Sequence, residues 1–298
     1  MVVPFGRKRG TVMKNLHLTH LGIGAALLML CACSPGERDA NAGAGNAAAP
    51  VNGAEGQADR PEAPASPPKG DGKGVSMDRR DEALEFSYGW PAEAAAIAPL
   101  DAWLRSHAED QYRKAMTEAK QGQDSAKKDS YPFRRYSFEQ KWEKVADLPG
   151  VLVMESNGYS YTGGAHGMPF VTSLIWDREA GKRHGTGDVL DKVKLTSASR
   201  AAFCKELDRQ RVEKRGQPVD PDAKDGIAEF NQCPAMGEQE ILPISRKGKA
   251  LDAIRVVIGP YVAGPYAEGS YEIDLPLTDA MLAAVKQPYR GWFSTGTP

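Results

Sequence analysis

The chain has 298 residues, 41% of them hydrophobic, and its 38 Lys+Arg against 39 Asp+Glu leave a net charge of −1. Basic and acidic residues are interspersed, which is the pattern of a solvated surface and excludes a nucleic-acid footprint. Past the N-terminal region, no apolar run approaches the about 20 residues that a membrane-spanning helix needs.

The first segment carries Arg7, Lys8, Arg9 and Lys14, then an apolar run from Leu21 to Leu30. A basic head, a short apolar middle and small residues before a break are the parts of a secretory signal. Met13 is a second candidate start, since the signal is complete from there. The run ends Leu30-Cys31-Ala32-Cys33, which resembles the lipobox of bacterial lipoproteins. That resemblance implies removal of residues 1–32 and acylation of Cys33; Leu30 before Cys31 fits the pattern less well. One acyl chain binds a membrane marginally and two or more anchor stably, so the multiple acylation implied here predicts a permanent membrane anchor. Ser34 in place of Asp resembles an outer-membrane address facing the periplasm. A plain signal peptide with two incidental cysteines is the alternative.

Residues 33–78 are rich in Ala, Gly, Pro and Asn and almost devoid of large apolar side chains. Such a segment buries too little surface to offset ordering entropy. It reads as a disordered tether with a reach of roughly 35–40 Å. The remainder, residues 79–298, is long enough for one domain or two small ones.

Leu84 to Pro91 alternates apolar and polar residues and stops at proline, as a strand does. Leu100, Trp103, Leu104, Ala108, Tyr112, Ala115, Met116 and Ala119 recur at helical steps. Pro99 suits the start of that helix and Gly122 its end; His107, beside the stripe, reads as a half-buried packing residue. Tyr136 to Tyr161 reads as a hairpin turning at Leu148-Pro149-Gly150, followed by a strand from Pro169 and a turn at Gly181. A helix is expected over Ser197 to Lys214. Short strands come next at Glu240–Ser245, Asp252–Gly259 and Ser270–Pro276. A closing helix is expected to Lys286, with Thr278 as cap. Hairpins with segregated helices indicate an α+β fold, a mostly antiparallel sheet with helices packed on it, in two closely associated parts.

Cys204 and Cys233 remain after processing, and in an oxidising compartment such a pair is most simply a disulfide. The only other histidines downstream of the signal are His166 and His184, without HxxxH or HExxH spacing, so no metal site or cofactor is expected. A site built from His166, His184 and Asp177 or Asp188 lacks the usual helical ligand pair. No GxSxG nucleophile turn occurs.

Two stretches stand out. In YSYTGGAHGMP, Gly163 and Gly164 end a strand, where glycine commonly supplies positive φ or close backbone approach. His166 there reads as a loop tie or groove lip, with an acid–base or metal role as the rival. In GPYVAGPYAEGSYEIDLP, Tyr261 and Tyr266 each come directly after a proline. Such aromatics stack on sugars or anchor a protein partner, or else merely cap the sheet.

Together YSYTGGAHG, the WDREAGK turn and the GPYVAGPYAEGSYEIDLP loop resemble paired extracytoplasmic modules. These are a PdaC-type accessory module, taken here as 79–180, and an RsiV-type C-terminal module, 181–298. The resemblance implies an α+β fold and an envelope-facing binding role, beside a peptidoglycan deacetylase domain or as a lysozyme-sensing ectodomain. The deacetylase chemistry belongs to a separate domain whose motifs are absent here. The expectation is a non-catalytic envelope lipoprotein binding a cell-wall glycan (peptidoglycan) or a lysozyme-like protein through Tyr159, Tyr161, Gly163, Gly164, His166, Tyr261 and Tyr266. A peptidoglycan-modifying enzyme using His166 and a purely structural lipoprotein are the alternatives.

Overall fold

The computed structural model describes residues 74–220, 222 and 227–296; the signal segment, Cys33 and most of the expected tether lie outside them. Strand β1 (Val75–Arg80) pairs antiparallel with β2 (Leu84–Trp90). Composition places Val75 to Asp78 in the tether, yet they are strand residues. Only alternate positions of β1 are half-buried, so pairing with β2, and not its own apolar content, makes it a strand. In β2 the expected alternation holds, with Leu84, Phe86, Tyr88 and Trp90 buried.

A short turn of helix α1 (Ala92–Ala95) leads into the 31-residue α2 (Ala98–Lys128). This helix is the crossover that lets β2 pair in parallel with β3 (Tyr136–Asp147). It runs past Gly122, where the sequence suggests an end. Glycine inside a helix costs about 1 kcal/mol relative to alanine. Here it is required, because a Cβ at Gly122 would overlap the Tyr136 hydroxyl packed on the helix. His107 is a packing residue as expected. Its ring stacks on Trp103 at 4.9 Å, and its Nδ1 is hydrogen-bonded with the Tyr88 hydroxyl at 2.8 Å.

The hairpin of β3 with β4 (Val151–Tyr161) forms as expected, then β5 (Met168–Asp177) and the three-residue β6 (Lys182–His184) complete a six-stranded sheet in the order β1-β2-β3-β4-β5-β6. Because β6 pairs with β5, the boundary placed at residue 180 divides this sheet. Past it come α3 (Thr186–Val189) and α4 (Lys192–Arg215). Helix α4 starts before Ser197 because the Asp191 carboxylate accepts from the N–H groups of Val193 and Lys194 at 3.1 Å each. Cys204 on α4 is disulfide-bonded to Cys233, with 5.5 Å between Cα atoms.

A second, three-stranded antiparallel sheet consists of β7 (Glu240–Ile244), β8 (Ala253–Ile258) and β9 (Tyr271–Pro276). Helix α5 is a single turn, Asp279–Leu282, capped by Thr278, and does not continue to Lys286. Val285 instead bridges to Leu190, and the Lys286 N–H donates to the Val189 carbonyl. Tertiary pairing thus ends a helix that local propensity would extend.

The fold is α+β and mostly antiparallel, as expected, and the described residues lie within one compact unit. Strand β4 shows why. Leu152 and Met154 face a core with α2, while Val151 and Val153 face a second core shared with α4 and the three-stranded sheet. The run Val151–Ser156 is therefore buried on both faces, the condition that produces a continuous apolar strand in place of an alternating one. Among the described residues no helix is long and apolar enough to cross a membrane.

Candidate functional site

At one end of β4 and β5 the loop Thr162–Gly167 reverses the chain. Gly163 and Gly164 hold φ of 96° and 86°, a region that costs side-chain-bearing residues about 1–3 kcal/mol. The Gly164 carbonyl accepts from the Tyr161 hydroxyl and the Arg134 guanidinium, both at 3.1 Å. His166 stands near the end of this loop, before Gly167.

The loop joining β8 to β9 meets it. Tyr266, in the 3-10 turn Tyr266–Glu268, stacks its ring on His166 at 3.9 Å. Tyr261 lies 5.7 Å from Tyr266, and its hydroxyl is 3.1 Å from His166 Nε2. His166 Nδ1 is 3.1 Å from the Gly167 carbonyl oxygen. A carbonyl can only accept, so Nδ1 carries the proton and Nε2 accepts from Tyr261. The same carbonyl takes the Tyr266 hydroxyl at 3.1 Å, and the Gly167 N–H donates to Tyr159 at 2.9 Å. Burial, with the neighbouring Tyr159 and Tyr261 hydroxyls, raises the Tyr266 phenol above its ordinary pKa.

Of the expected residues, Tyr159, His166, Tyr261 and Tyr266 thus converge on one lip. Tyr161, Gly163 and Gly164 shape the adjoining turn instead. Tyr261 is 47% exposed although its φ of 68° is left-handed, an uncommon conformation for a bulky side chain. Val262 beside it is also exposed.

Several residues that sequence reading passes over build this lip. Gly167 is one: a Cβ there would come 2.5 Å from the Ser160 carbonyl oxygen and 2.6 Å from the Tyr159 ring. Arg211 is another, fully buried on α4. It donates to the Ala263 carbonyl at 3.0 Å and to Gln232 at 2.8 Å. Arg215 reaches the Ala263 carbonyl at 3.0 Å and clasps Glu268 with two bonds of 2.9 and 3.1 Å. Glu268 also accepts from Tyr271, whose phenol is pushed up to about 12 by burial and that carboxylate. Arg211 continues the i, i+4 row of Phe203 and Leu207, a spacing that marks it as inward-facing. The two arginines thus fasten the tyrosine loop to α4.

Beneath the lip, the two sheets meet through charge. Buried Glu155 on β4 lies 3.5 Å from Arg255 on β8, which also pairs with Glu272 and Asp274. Burial pushes the Glu155 carboxyl up to about 7.

The metal alternative finds no support in the geometry. His184 pairs with Ile175, toward the opposite end of β5 from His166, and its Nε2 is 3.9 Å from Asp177; Asp188 accepts from the Gly185 N–H. Among the described residues no three His, Cys, Asp or Glu side chains gather as a metal site.

Residues 78–169 match the family model described as deacetylase PdaC. Over that stretch, from β1 to the start of β5, the chain is PdaC-like. Across a wider span it is similar to two solved structures. One is a DUF3298 family protein from Pseudomonas aeruginosa PAO1, at 17% identity and a TM-score of 0.43, covering 73% of this chain and 94% of that one. The other is a DUF3298 family member from Bacteroides fragilis NCTC 9343, at 16% identity and 0.44, covering 74% and 95%. No curated protein matches the chain.

Proposed function

We propose that the chain is a non-catalytic recognition head of the cell envelope. It is anchored by lipid on Cys33, facing the periplasm from the outer membrane, and binds a cell-wall glycan or a wall-active, lysozyme-like protein. Its C-terminal part acts as an RsiV-type module, and the contact surface is the lip of Tyr159, His166, Tyr261 and Tyr266. The observation that carries this reading is the exposed Tyr261, held in a left-handed backbone by a braced loop and bonded to His166. Strain at an exposed aromatic is retained where surrounding structure over-determines it, a feature that clusters at ligand clamps. Tyrosine anchors of this kind concentrate binding energy at interfaces.

A general-base role for His166 is disfavoured by the same geometry. Both ring nitrogens are engaged, one by a carbonyl and one by a phenol, and among the described residues no carboxylate bonds to the ring to orient it.

The test is binding of the full chain to isolated peptidoglycan sacculi and to lysozyme, with Tyr261→Ala and His166→Ala beside the native protein. Saturable binding to one of these, weakened at least about tenfold in both variants, is expected for residues at the centre of a contact. Binding to neither, or variants that bind as the native protein does, would overturn the reading. Metabolic labelling with a fatty acid, lost in Cys33→Ala, checks the anchor.

A further inference from the structure

A second feature lies on the other flank of the glycine loop, and none of the lip's aromatic residues lines it. An open groove of about 490 Å³ runs between the end of α2 and the turn Thr162–Ala165. That volume is in the range of small-ligand sites, roughly 300–1,000 Å³, and well beyond what a lone inorganic anion fills. Its walls are aromatic. Phe133 and Tyr136 form a tilted pair with ring centroids 5.3 Å apart, and Tyr131, 51% exposed, stands at the edge. The left-handed Ser130, φ 56°, turns the chain out of α2 into this aromatic segment.

The polar groups at the rim are chiefly donors. The Arg134 guanidinium is exposed and spends one N–H on the Gly164 carbonyl, leaving others for a ligand. The backbone N–H groups of Gly163, Gly164 and Ala165 find no acceptor among the described residues. No aspartate or glutamate lines the groove. Aromatic walls suit the C–H faces of a sugar ring. A guanidinium and free backbone N–H groups beside them call for a carboxylate. We infer that this groove binds a sugar ring carrying a carboxylate, through Tyr131, Phe133, Arg134 and Tyr136.

The inference stands on the groove's own chemistry and is independent of what the lip binds. Its test is calorimetric titration of the full chain with N-acetylmuramic acid, with N-acetylglucosamine (the same ring without the acidic arm) and with D-lactate (the acidic arm without the ring). The expected result is saturable binding of N-acetylmuramic acid, at least about tenfold tighter than either comparison compound, the scale of one charge-assisted bond. Arg134→Gln and Tyr131→Ala should each weaken it about tenfold, while the exposed substitution Val193→Ala on α4 leaves it unchanged. Far-ultraviolet dichroism confirms that each variant is folded. Equal binding of N-acetylglucosamine, equal binding of D-lactate, no binding at all, or indifference to both groove substitutions would overturn the inference. So would loss in Val193→Ala, which lies outside the groove and would show that the effect is not local to it. Failure here leaves the lip's own ligand test unaffected, since the two use different variants and different probes.

Discussion

His166 and Tyr266 stack at 3.9 Å, joining the loop after β4 to the loop after β8. Together with the Tyr261 hydroxyl on Nε2 and the Tyr266 hydroxyl on the Gly167 carbonyl, this makes one surface from two segments distant in sequence.

Tyr261 separates stability from binding. Glycine adopts φ near 68° without the side-chain penalty, so Tyr261→Gly should leave the unfolding free energy within about 1 kcal/mol of the native value. The same change removes the exposed ring and should weaken lip binding about tenfold or more. Urea unfolding and the sacculus or lysozyme assay, run on the same preparation, check the two halves. A large loss of stability would mean that the ring is a structural strut.

Arg211 should be among the most sensitive positions. Its side chain is fully buried and donates to the carbonyls of Ala263 and Gln232. Arg211→Ala takes the donor from the Gln232 carbonyl, leaves the Ala263 carbonyl with Arg215 alone and opens a void, a combination that costs about 3–5 kcal/mol. Equilibrium denaturation gives the value, and a loss below about 1 kcal/mol would show that water replaces the guanidinium.

The Cys204–Cys233 bridge closes a loop of 29 residues between α4 and the segment before β7. The chain-entropy relation gives about 3–4 kcal/mol for a loop of that size. Replacing both cysteines by serine should lower the unfolding free energy by about that amount. Added reductant should then have no further effect on the variant.

Glu155 sets a pH dependence of unusual sign. Its folded pKa of about 7 lies above the ordinary 4.5, because burial outweighs Arg255, whose guanidinium is shared with Asp274 and Glu272. Between those values the folded state holds the proton more tightly than the unfolded state. Its stabilising contribution is therefore complete below the ordinary value and is lost as pH rises through about 7. One pKa unit corresponds to about 1.4 kcal/mol, so the contribution is about 3 kcal/mol. In Glu155→Gln the fall in unfolding free energy from pH 5 to pH 8 should be smaller by about that amount. Parallel pH profiles for the two proteins would refute the assignment.

Local patterning carried much of the fold. The alternation in Leu84–Trp90, the turn at Leu148-Pro149-Gly150 and the stripe through Leu100, Leu104 and Ala108 each arise from near neighbours. It fails where a distant partner decides. β1 is ordered by β2, Gly122 stays helical because Tyr136 packs over it, and α5 stops where Val285 bridges to Leu190. In the candidate site, the alternating tyrosines, the glycine pair and His166 were all legible as an unusual stretch. Tyr159 and Tyr161 look equivalent in sequence, yet one joins the lip and the other ties the turn.

The amino-acid sequence by itself determined the α+β class, the pairing of Cys204 with Cys233 and the two tyrosine-bearing segments, because each depends on composition, spacing or short-range periodicity. Only the tertiary structure decided that His166 meets Tyr261 and Tyr266, that Arg211 and Arg215 brace their loop, and that Tyr131, Phe133 and Tyr136 line a separate groove. The lip contacts arise from packing the three-stranded sheet and α4 on one face of the doubly buried β4, and the groove from setting the segment after α2 beside the turn after β4; no local preference encodes a distance between segments that far apart along the chain.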